Sequence, residues 1–270
     1  MGKGNFILGT GSSSIGDVTF ARRNGQQIAR VRVRKIKNPK SYGQAEQRMI
    51  SAEVVKFYSP LSGVLETSFE GLSKSESYAK FLSVNMNLAR ANGWPAKKGD
   101  VIPFPFQIAG GSLAMPIVSD GCLQTNAPAE GATMNMGLLA QLLIDYYGLQ
   151  NGDQVTCIGW NRQYNTDDLW RPEYFRFYLN TESTEQLPAK IVYETRKGGL
   201  SFYGFDENVA FIFSRWDGEK WARSDSFVYC QNDVLDAWTT PEKYAAAVAS
   251  YMKGAGRTPV SDVYLNGSDD

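Results

Sequence analysis

Histidine is absent from the 270-residue sequence. Without it the chain cannot use Ser-His-Asp or Cys-His catalysis, and it lacks the commonest general base and the commonest ligand of catalytic zinc. Carboxylate and lysine chemistry are the catalytic routes that remain. We therefore expect that the protein is not an enzyme and that it uses neither a metal nor a cofactor.

Cysteine is scarce as well. The three cysteines, Cys122, Cys157 and Cys230, lie far apart and form no C-x-x-C motif. An odd number at such spacing argues against both a disulfide framework and a zinc site. We expect partly buried free thiols in a reducing compartment.

Long apolar runs are also missing. The only apolar run near the N-terminus is Phe6 to Leu8, shorter than the roughly 7–15 residues of a secretory signal. No stretch approaches the roughly 18–20 apolar residues that a membrane-spanning helix needs. We therefore expect neither a signal peptide nor a membrane span.

Charge is present in balance but is unevenly distributed. The chain is neutral overall, yet residues 1–48 carry ten lysines and arginines against two acids, a net of +8. Residues 49–270 consequently carry a net of −8. Such asymmetry points to contact with a polyanion or with a complementary protein surface.

A β-hairpin is predicted to carry much of the positive charge. Residues 18–23 and 26–33 read as strands on either side of Asn24-Gly25, a dipeptide favoured in type I′ turns. The preceding GTGSSSIGD, residues 9–17, is predicted to be a Gly/Ser loop. Asn38-Pro39 is predicted to end the second strand.

The second strand of this hairpin alternates, so that every other arginine shares one face. The row of arginines has three interpretations. It can bind the phosphates of a nucleic acid, or it can contact an acidic surface of another protein subunit. It can also be the charged edge of a sheet that prevents unwanted strand pairing. These three interpretations stay open, with a slight preference for a subunit contact. The residues of this nucleic-acid or subunit interface are Arg22, Arg23, Arg30, Arg32, Arg34, Lys35, Lys37, Lys40 and Arg48.

Four helices are predicted from apolar residues at helical spacing and from capping signals. Ser73 and Glu76 fit a capping box ahead of the second helix, and Gly148 follows the third. The helices are predicted over residues 43–58, 76–90, 134–147 and 241–252. The predicted buried stripe of the third is Leu138, Leu139, Leu142, Leu143 and Tyr146.

Short strands separated by turn residues dominate the rest of the sequence. They are predicted over residues 154–160, 174–179, 190–193, 209–216 and 220–229. We therefore predict an α+β fold that is mainly β. A hairpin and two helices, residues 1–95, would precede an antiparallel β-sandwich or barrel-like domain with two helices, residues 96–270.

Aromatic residues are concentrated between positions 160 and 178. Such a cluster can form a platform for carbohydrate, although packing in strands is its commoner use. The residues are Trp160, Tyr164, Trp170, Tyr174, Phe175, Phe177 and Tyr178.

Several motifs resemble an uncharacterised family of proteins from Bacteroidota and from their phages and mobile elements. They are the Gly/Ser start, "IGDVTF", the "NG" turn, "IARVRV" and "NPKSYGQAEQR", with weaker similarity in the C-terminal "AAAVASYMKGAGRTPVSDVYLNG". The resemblance implies no activity and no catalytic residues. It implies a phage-like context, and with it a location in a virion or in the host cytoplasm.

The function that we expect is a non-enzymatic structural or assembly protein of a phage or virus-like particle, such as a capsid, tail or accessory component. Its partners would be copies of itself or other virion proteins, with DNA or RNA as a further candidate. The first alternative is a nucleic-acid-binding protein that uses the basic strand at residues 30–37. The second is a carbohydrate- or surface-binding module.

Overall fold

The structure is a computed structural model that describes much of the chain. The described residues are 3–5, 10–15, 18–23, 26–31, 41–92, 101–161, 169–205 and 208–230, with helical positions 242, 245, 248, 249 and 252. These last positions agree with the predicted helix at 241–252. The chain divides into two compact units, Met1–Lys40 and Ser41–Asp270.

The first unit is a four-stranded antiparallel sheet in the order β1-β2-β3-β4. Its strands are β1 Lys3–Asn5, β2 Thr10–Ile15, β3 Val18–Arg23 and β4 Gln26–Val31. Strands β3 and β4 pair from Val18↔Val31 to Arg23↔Gln26, which confirms the predicted hairpin. The predicted Gly/Ser loop is wrong, because β2 pairs with both neighbours through backbone hydrogen bonds that need no large apolar side chain.

The second unit begins with helices. They are α1 Tyr42–Tyr58, a 3₁₀ turn Ser59–Leu61, α2 Ser62–Leu65, α3 Lys74–Asn92 and, later, α4 Met136–Tyr147. The predicted capping box is confirmed, since the Ser73 backbone N–H donates to Glu76 Oε2 at 3.0 Å and the Glu76 backbone N–H donates to Ser73 Oγ at 3.4 Å. Gly148 takes the left-handed conformation that ends α4, with φ 68°. No helix in the described part of the chain is long and apolar enough to cross a membrane.

Eleven strands lie between residues 107 and 230 of this unit, and all of their pairings with one another are antiparallel. They are β5 Gln107–Ala109, β6 Val118–Ser119, β7 Cys122–Gln124, β8 Gln154–Asn161, β9 Arg171–Tyr178, β10 Ile191–Glu194, β11 Gly199–Phe202, β12 Asn208–Trp216, β13 Trp221–Arg223, β14 Ser226–Phe227 and β15 Tyr229–Cys230. The mainly β, α+β class is confirmed. No sheet among the described residues closes into a barrel.

Three sheets form in this unit. The central sheet has the order β13-β12-β8-β9, with β15 also paired to β12. The second sheet has the order β10-β11-β7-β6, and β5 pairs with β14. The central and second sheets share one hydrophobic cluster with α4, as a sandwich would.

The middle strands of the central sheet, β8 and β12, are buried on both faces. Along β12, Val209, Phe211 and Phe213 enter the cluster shared with α4 and the second sheet. Ala210 and Ile212, which point the opposite way, enter a cluster formed with α1 and α3. Burial on both faces explains why β12 reads as a continuous apolar run rather than as an alternating strand.

The helices of the predicted first domain therefore belong to the same core as the strands that follow them. Ile158 and Trp160 of β8 lie in one cluster with residues of α1 and α3. The division that the structure shows falls at residues 40–41, not near the predicted boundary at 95.

Helix α4 differs from the predicted stripe at its last turn. Tyr146 is 39% exposed, whereas Tyr147 is buried. The Tyr147 hydroxyl donates to the carbonyl of Gln124 at 2.8 Å, and burial raises the pKa of Tyr147 above its usual value. The apolar spacing did not distinguish these neighbours because both tyrosines lie near the edge of the buried face.

Candidate functional site

The predicted basic interface is only partly within the described structure. Arg22 and Arg23 lie in β3, Arg30 is exposed in β4, and Arg48 is exposed on α1 of the second unit. The other predicted members lie outside the described residues, so the proposed arginine row is described at Arg30 alone. Those members are Arg32, Arg34, Lys35, Lys37 and Lys40.

The N-terminal sheet exposes apolar side chains beside this charge. Val18 and Val31 stand directly opposite each other, and so share a face, with exposed fractions of 37% and 76%. Ile28, 41% exposed, shares the other face with Arg30 two residues along the strand. The described sheet therefore presents apolar and cationic groups to solvent together.

A second candidate site, not identified from the sequence, lies on the central sheet. Four polar residues form a row across its four strands: Tyr178 opposite Gln154, Gln154 opposite Ser214, and Ser214 opposite Arg223. Directly opposite residues share a face, so all four side chains leave the sheet on the same side.

The neighbouring row continues this polar surface. Arg176 stands opposite Thr156, which stands opposite Ile212. Residues of helix α2 and those just after it line, together with both rows, a partly open cavity of about 260 Å³. Arg176 and Arg223 line this cavity, and no aspartate or glutamate does.

The guanidinium of Arg223 is held in place by neutral groups, while its backbone N–H donates to the Glu70 carboxylate at 3.2 Å. The residue is 8% exposed; its Nε donates to the Thr67 carbonyl at 2.9 Å, and its Nη2 lies 3.2 Å from Thr67 Oγ1. The guanidinium carbon lies 4.7 Å from the centre of the Trp221 ring. Burial, and secondarily the positive charge of Arg176, lower the pKa of Arg223 to about 10.

Arg176 reaches the cavity from the opposite outer strand. Its Nη2 donates to the carbonyl of Gly63 at 3.0 Å, and its guanidinium lies 5.2 Å from the centre of the Tyr174 ring. Within the part of the chain that the structure describes, neither Arg176 nor Arg223 forms an ion pair with a carboxylate. Among the described residues, the cavity thus holds two guanidiniums with no carboxylate paired to either of them.

Ser214 contributes a hydroxyl to the lining of the cavity. The residue is 1% exposed, and its buried hydroxyl has no hydrogen-bond partner among the described residues. Buried hydroxyls are normally hydrogen-bonded, so one that is not calls for a reason. In the sequence, Ser214 and Arg215 end the apolar run of β12. This polar pair was the available signal for a site at that end of the strand.

Most of the aromatic cluster is used for packing. Trp160, Trp170 and Phe177 are buried, while Tyr174 and Tyr178 are 46% and 59% exposed. Tyr164 lies outside the described residues. Exposed aromatic surface in this segment, as far as the structure describes it, is limited to two tyrosines.

None of the three cysteines forms a disulfide bond. Cys122 and Cys157 are buried, and Cys230 is half-buried. Burial raises the pKa of the thiols of Cys157 and Cys230 above the usual range, which opposes thiolate chemistry. No cluster of three or more potential metal ligands occurs in the residues that the structure covers.

Comparison with known proteins finds a family similarity for part of the chain. Neither the curated proteins nor the solved structures contain a match to this sequence. The region from β2 to just beyond β7 does match a family model, in agreement with the predicted resemblance to an uncharacterised family. Residues 10–126 are similar to a family of unknown function, DUF6266.

Proposed function

We propose that the protein is a non-enzymatic assembly protein whose N-terminal sheet forms a contact with another subunit, as a component of a phage or virus-like particle. The observation that carries the subunit contact is the exposure of apolar side chains on both faces of this sheet, Ile28 beside Arg30 on one face and Val18 with Val31 on the other. The virion context rests on the resemblance described above.

Apolar exposure favours a protein partner over nucleic acid. Covering apolar surface stabilises a complex by roughly 25 cal/mol per Å², and protein interfaces combine apolar groups with arginine. Interfaces with DNA are more polar and more strongly cationic. A sheet that exposes two valines on one face, and an isoleucine with the one described exposed arginine on the other, fits the first composition better.

Charge complementarity favours a second copy of the chain. Residues 1–48 carry a net of +8 and residues 49–270 a net of −8. A copy can therefore offer an acidic surface to the basic segment of its neighbour, which speeds association and selects the orientation. Head-to-tail contacts of this kind build rings or open assemblies.

The test is the oligomeric state of two matched variants. Val31→Glu and Val55→Glu each place a carboxylate at an exposed valine, one in β4 and the other, 40% exposed, in α1. We expect light scattering with size-exclusion chromatography to show concentration-dependent oligomers for the native chain and Val55→Glu, and mostly monomer for Val31→Glu. A native chain that stays monomeric at the highest attainable concentration contradicts self-assembly.

Nucleic-acid binding remains the second candidate, because Arg30 is exposed and four more basic residues follow within residues 32–37. Fluorescence anisotropy with DNA and RNA at increasing salt measures it. Binding by phosphate contacts predicts a linear fall of log K with log salt, at about 0.9 per phosphate contacted on duplex DNA. Absence of binding at low salt rules this function out.

A further inference from the structure

We propose that the cavity between α2 and the polar rows of the central sheet binds a phosphate group, either inorganic phosphate or a phosphate monoester. The site lies in the second unit and does not depend on the assembly function proposed above. It rests on two arginines, a buried hydroxyl and the absence of acids from the cavity wall.

The charge of the cavity selects the ligand class. Burying a cation is unfavourable unless an anion or strong hydrogen bonds offset it. The guanidinium of Arg223 has only neutral acceptors in the described structure, whereas its backbone N–H donates to the Glu70 carboxylate. A phosphate monoester carries a charge of about −1.5 to −2 at neutral pH. It can balance Arg223 and Arg176 together, whereas a carboxylate would balance one of them.

The two guanidiniums converge although their strands are far apart. Strands β13 and β9 are the outer strands of a four-strand order, so their backbones are separated by about 14 Å. Arg223 nevertheless reaches the carbonyl of Thr67, and Arg176 reaches that of Gly63, four residues earlier. Both side chains therefore turn inward over the middle strands, where planar guanidinium groups suit the oxygens of a phosphate.

The middle strands supply a hydroxyl at this point. Ser214 lies between Gln154 and Arg223 in the same row, and its buried Oγ has no partner among the described residues. A phosphate oxygen would accept a hydrogen bond from this hydroxyl. An unfilled hydrogen bond of this kind lowers the stability of the empty protein, so its position at the cavity wall is best explained by a ligand that fills it.

The aromatic groups lie where an organic part of the ligand could emerge. Tyr178 is 59% exposed and Trp221 is half-buried, and both line the cavity. Aromatic faces pack against sugar rings and bases. A comparison of inorganic phosphate with a sugar phosphate and a nucleoside monophosphate distinguishes the two sources.

Calorimetric titration and thermal unfolding with inorganic phosphate test the proposal, at an ionic strength held constant with sodium chloride. We expect saturable binding to the full chain and a rise in Tm. Arg176→Gln should weaken phosphate binding at least tenfold, because it removes one of the two cations that line the cavity. The variant should still fold, because Arg176 is exposed and its loss leaves the core intact. Arg196→Gln, the control, removes an exposed charge outside the cavity and should bind like the native chain.

Ser214→Ala should change two measurements in opposite directions, the Tm without phosphate and the increase in Tm on adding phosphate. Without phosphate its Tm should equal or exceed that of the native chain, since a buried hydroxyl without a partner is removed. With phosphate its Tm increase should be smaller. A purely structural role of the serine predicts a lower Tm and an unchanged response to phosphate.

Two results overturn the proposal. One is a phosphate response no larger than that of chloride at equal ionic strength. The other is an equal loss of binding in Arg176→Gln and Arg196→Gln, which would show general attraction to positive charge. Tighter binding of either monoester than of inorganic phosphate supports an organic phosphate as the ligand, and equal binding supports free phosphate.

Discussion

Burial of the middle strands of the central sheet on two faces predicts that both of its cores are needed for stability. Phe211 is 1% exposed in the cluster shared with α4, and Ile158 is 0% exposed in the cluster shared with α1 and α3. Truncation of a buried phenylalanine to alanine costs about 3–5 kcal/mol, and that of a buried isoleucine about 2–5 kcal/mol. We therefore expect both Phe211→Ala and Ile158→Ala to lose at least about 2 kcal/mol of the free energy of unfolding.

Urea unfolding followed by tryptophan fluorescence and circular dichroism measures this loss. Trp160 reports on the helix-facing core, since it is 2% exposed and stacks on Phe57 with ring centres 5.5 Å apart. Tyr203→Ala serves as control, because a side chain that is 68% exposed should contribute less than about 0.5 kcal/mol. If Ile158→Ala costs no more than this control, the helices do not cover that face and the reasoning fails.

Three further predictions follow from single contacts. Arg215→Gln should lower the free energy of unfolding, measured in urea, by about 2–3 kcal/mol. The reason is that Arg215 donates to the 3%-exposed Asp153 carboxylate through Nε at 2.9 Å and Nη2 at 2.7 Å. A loss below about 0.5 kcal/mol would contradict a structural ion pair. Gly159→Ala should lose about 1–3 kcal/mol, because the added Cβ would overlap the side chain of Phe205; Gly159→Ala combined with Phe205→Ala should cost less than the sum of the two single losses. Iodoacetamide should label Cys157 slowly in the native chain and rapidly in urea, as mass spectrometry can show, since burial raises its pKa; equal rates would mean an open core.

Local signals in the sequence predicted the larger elements. Helices α1 and α3 follow from apolar residues at helical spacing, the second with its capping box at Ser73 and Glu76. The hairpin of β3 and β4 follows from the turn dipeptide between its strands. These elements are set by residues close together in the chain, which is why a single sequence contains enough to find them.

Several strands of two to four residues escaped prediction, although β10, of four residues, was predicted. Strands β5, β6, β7 and β11 are too short to show an alternating pattern, and they are fixed by pairing with distant segments. Strand β2 was missed for a related reason, since Gly and Ser are typical of loops and only its partners make it a strand.

The cavity could not be predicted because no local pattern contains it. Tyr178, Gln154, Ser214 and Arg223 come from four strands, and only the register of three strand pairs brings them into one row. A shift of one residue in any of these pairings would turn part of the row to the other face. Register depends on the packing of both cores, and this packing involves residues distant in the chain that local sequence patterns do not connect.

Net charge gives the opposite expectation for this site. Residues 49–270 carry a net of −8, which on its own would argue against an anionic ligand in the second unit. Charges farther away than about 8–10 Å are strongly screened at physiological salt, whereas Arg176 and Arg223 line the cavity itself, without an acid among its lining residues. The ligand therefore meets a local field of two cations, and the acidity of the unit acts mainly on its approach. For the same reason the positive charge of residues 1–48 does not by itself identify a nucleic-acid partner, and the side chains exposed beside each arginine decide what it contacts.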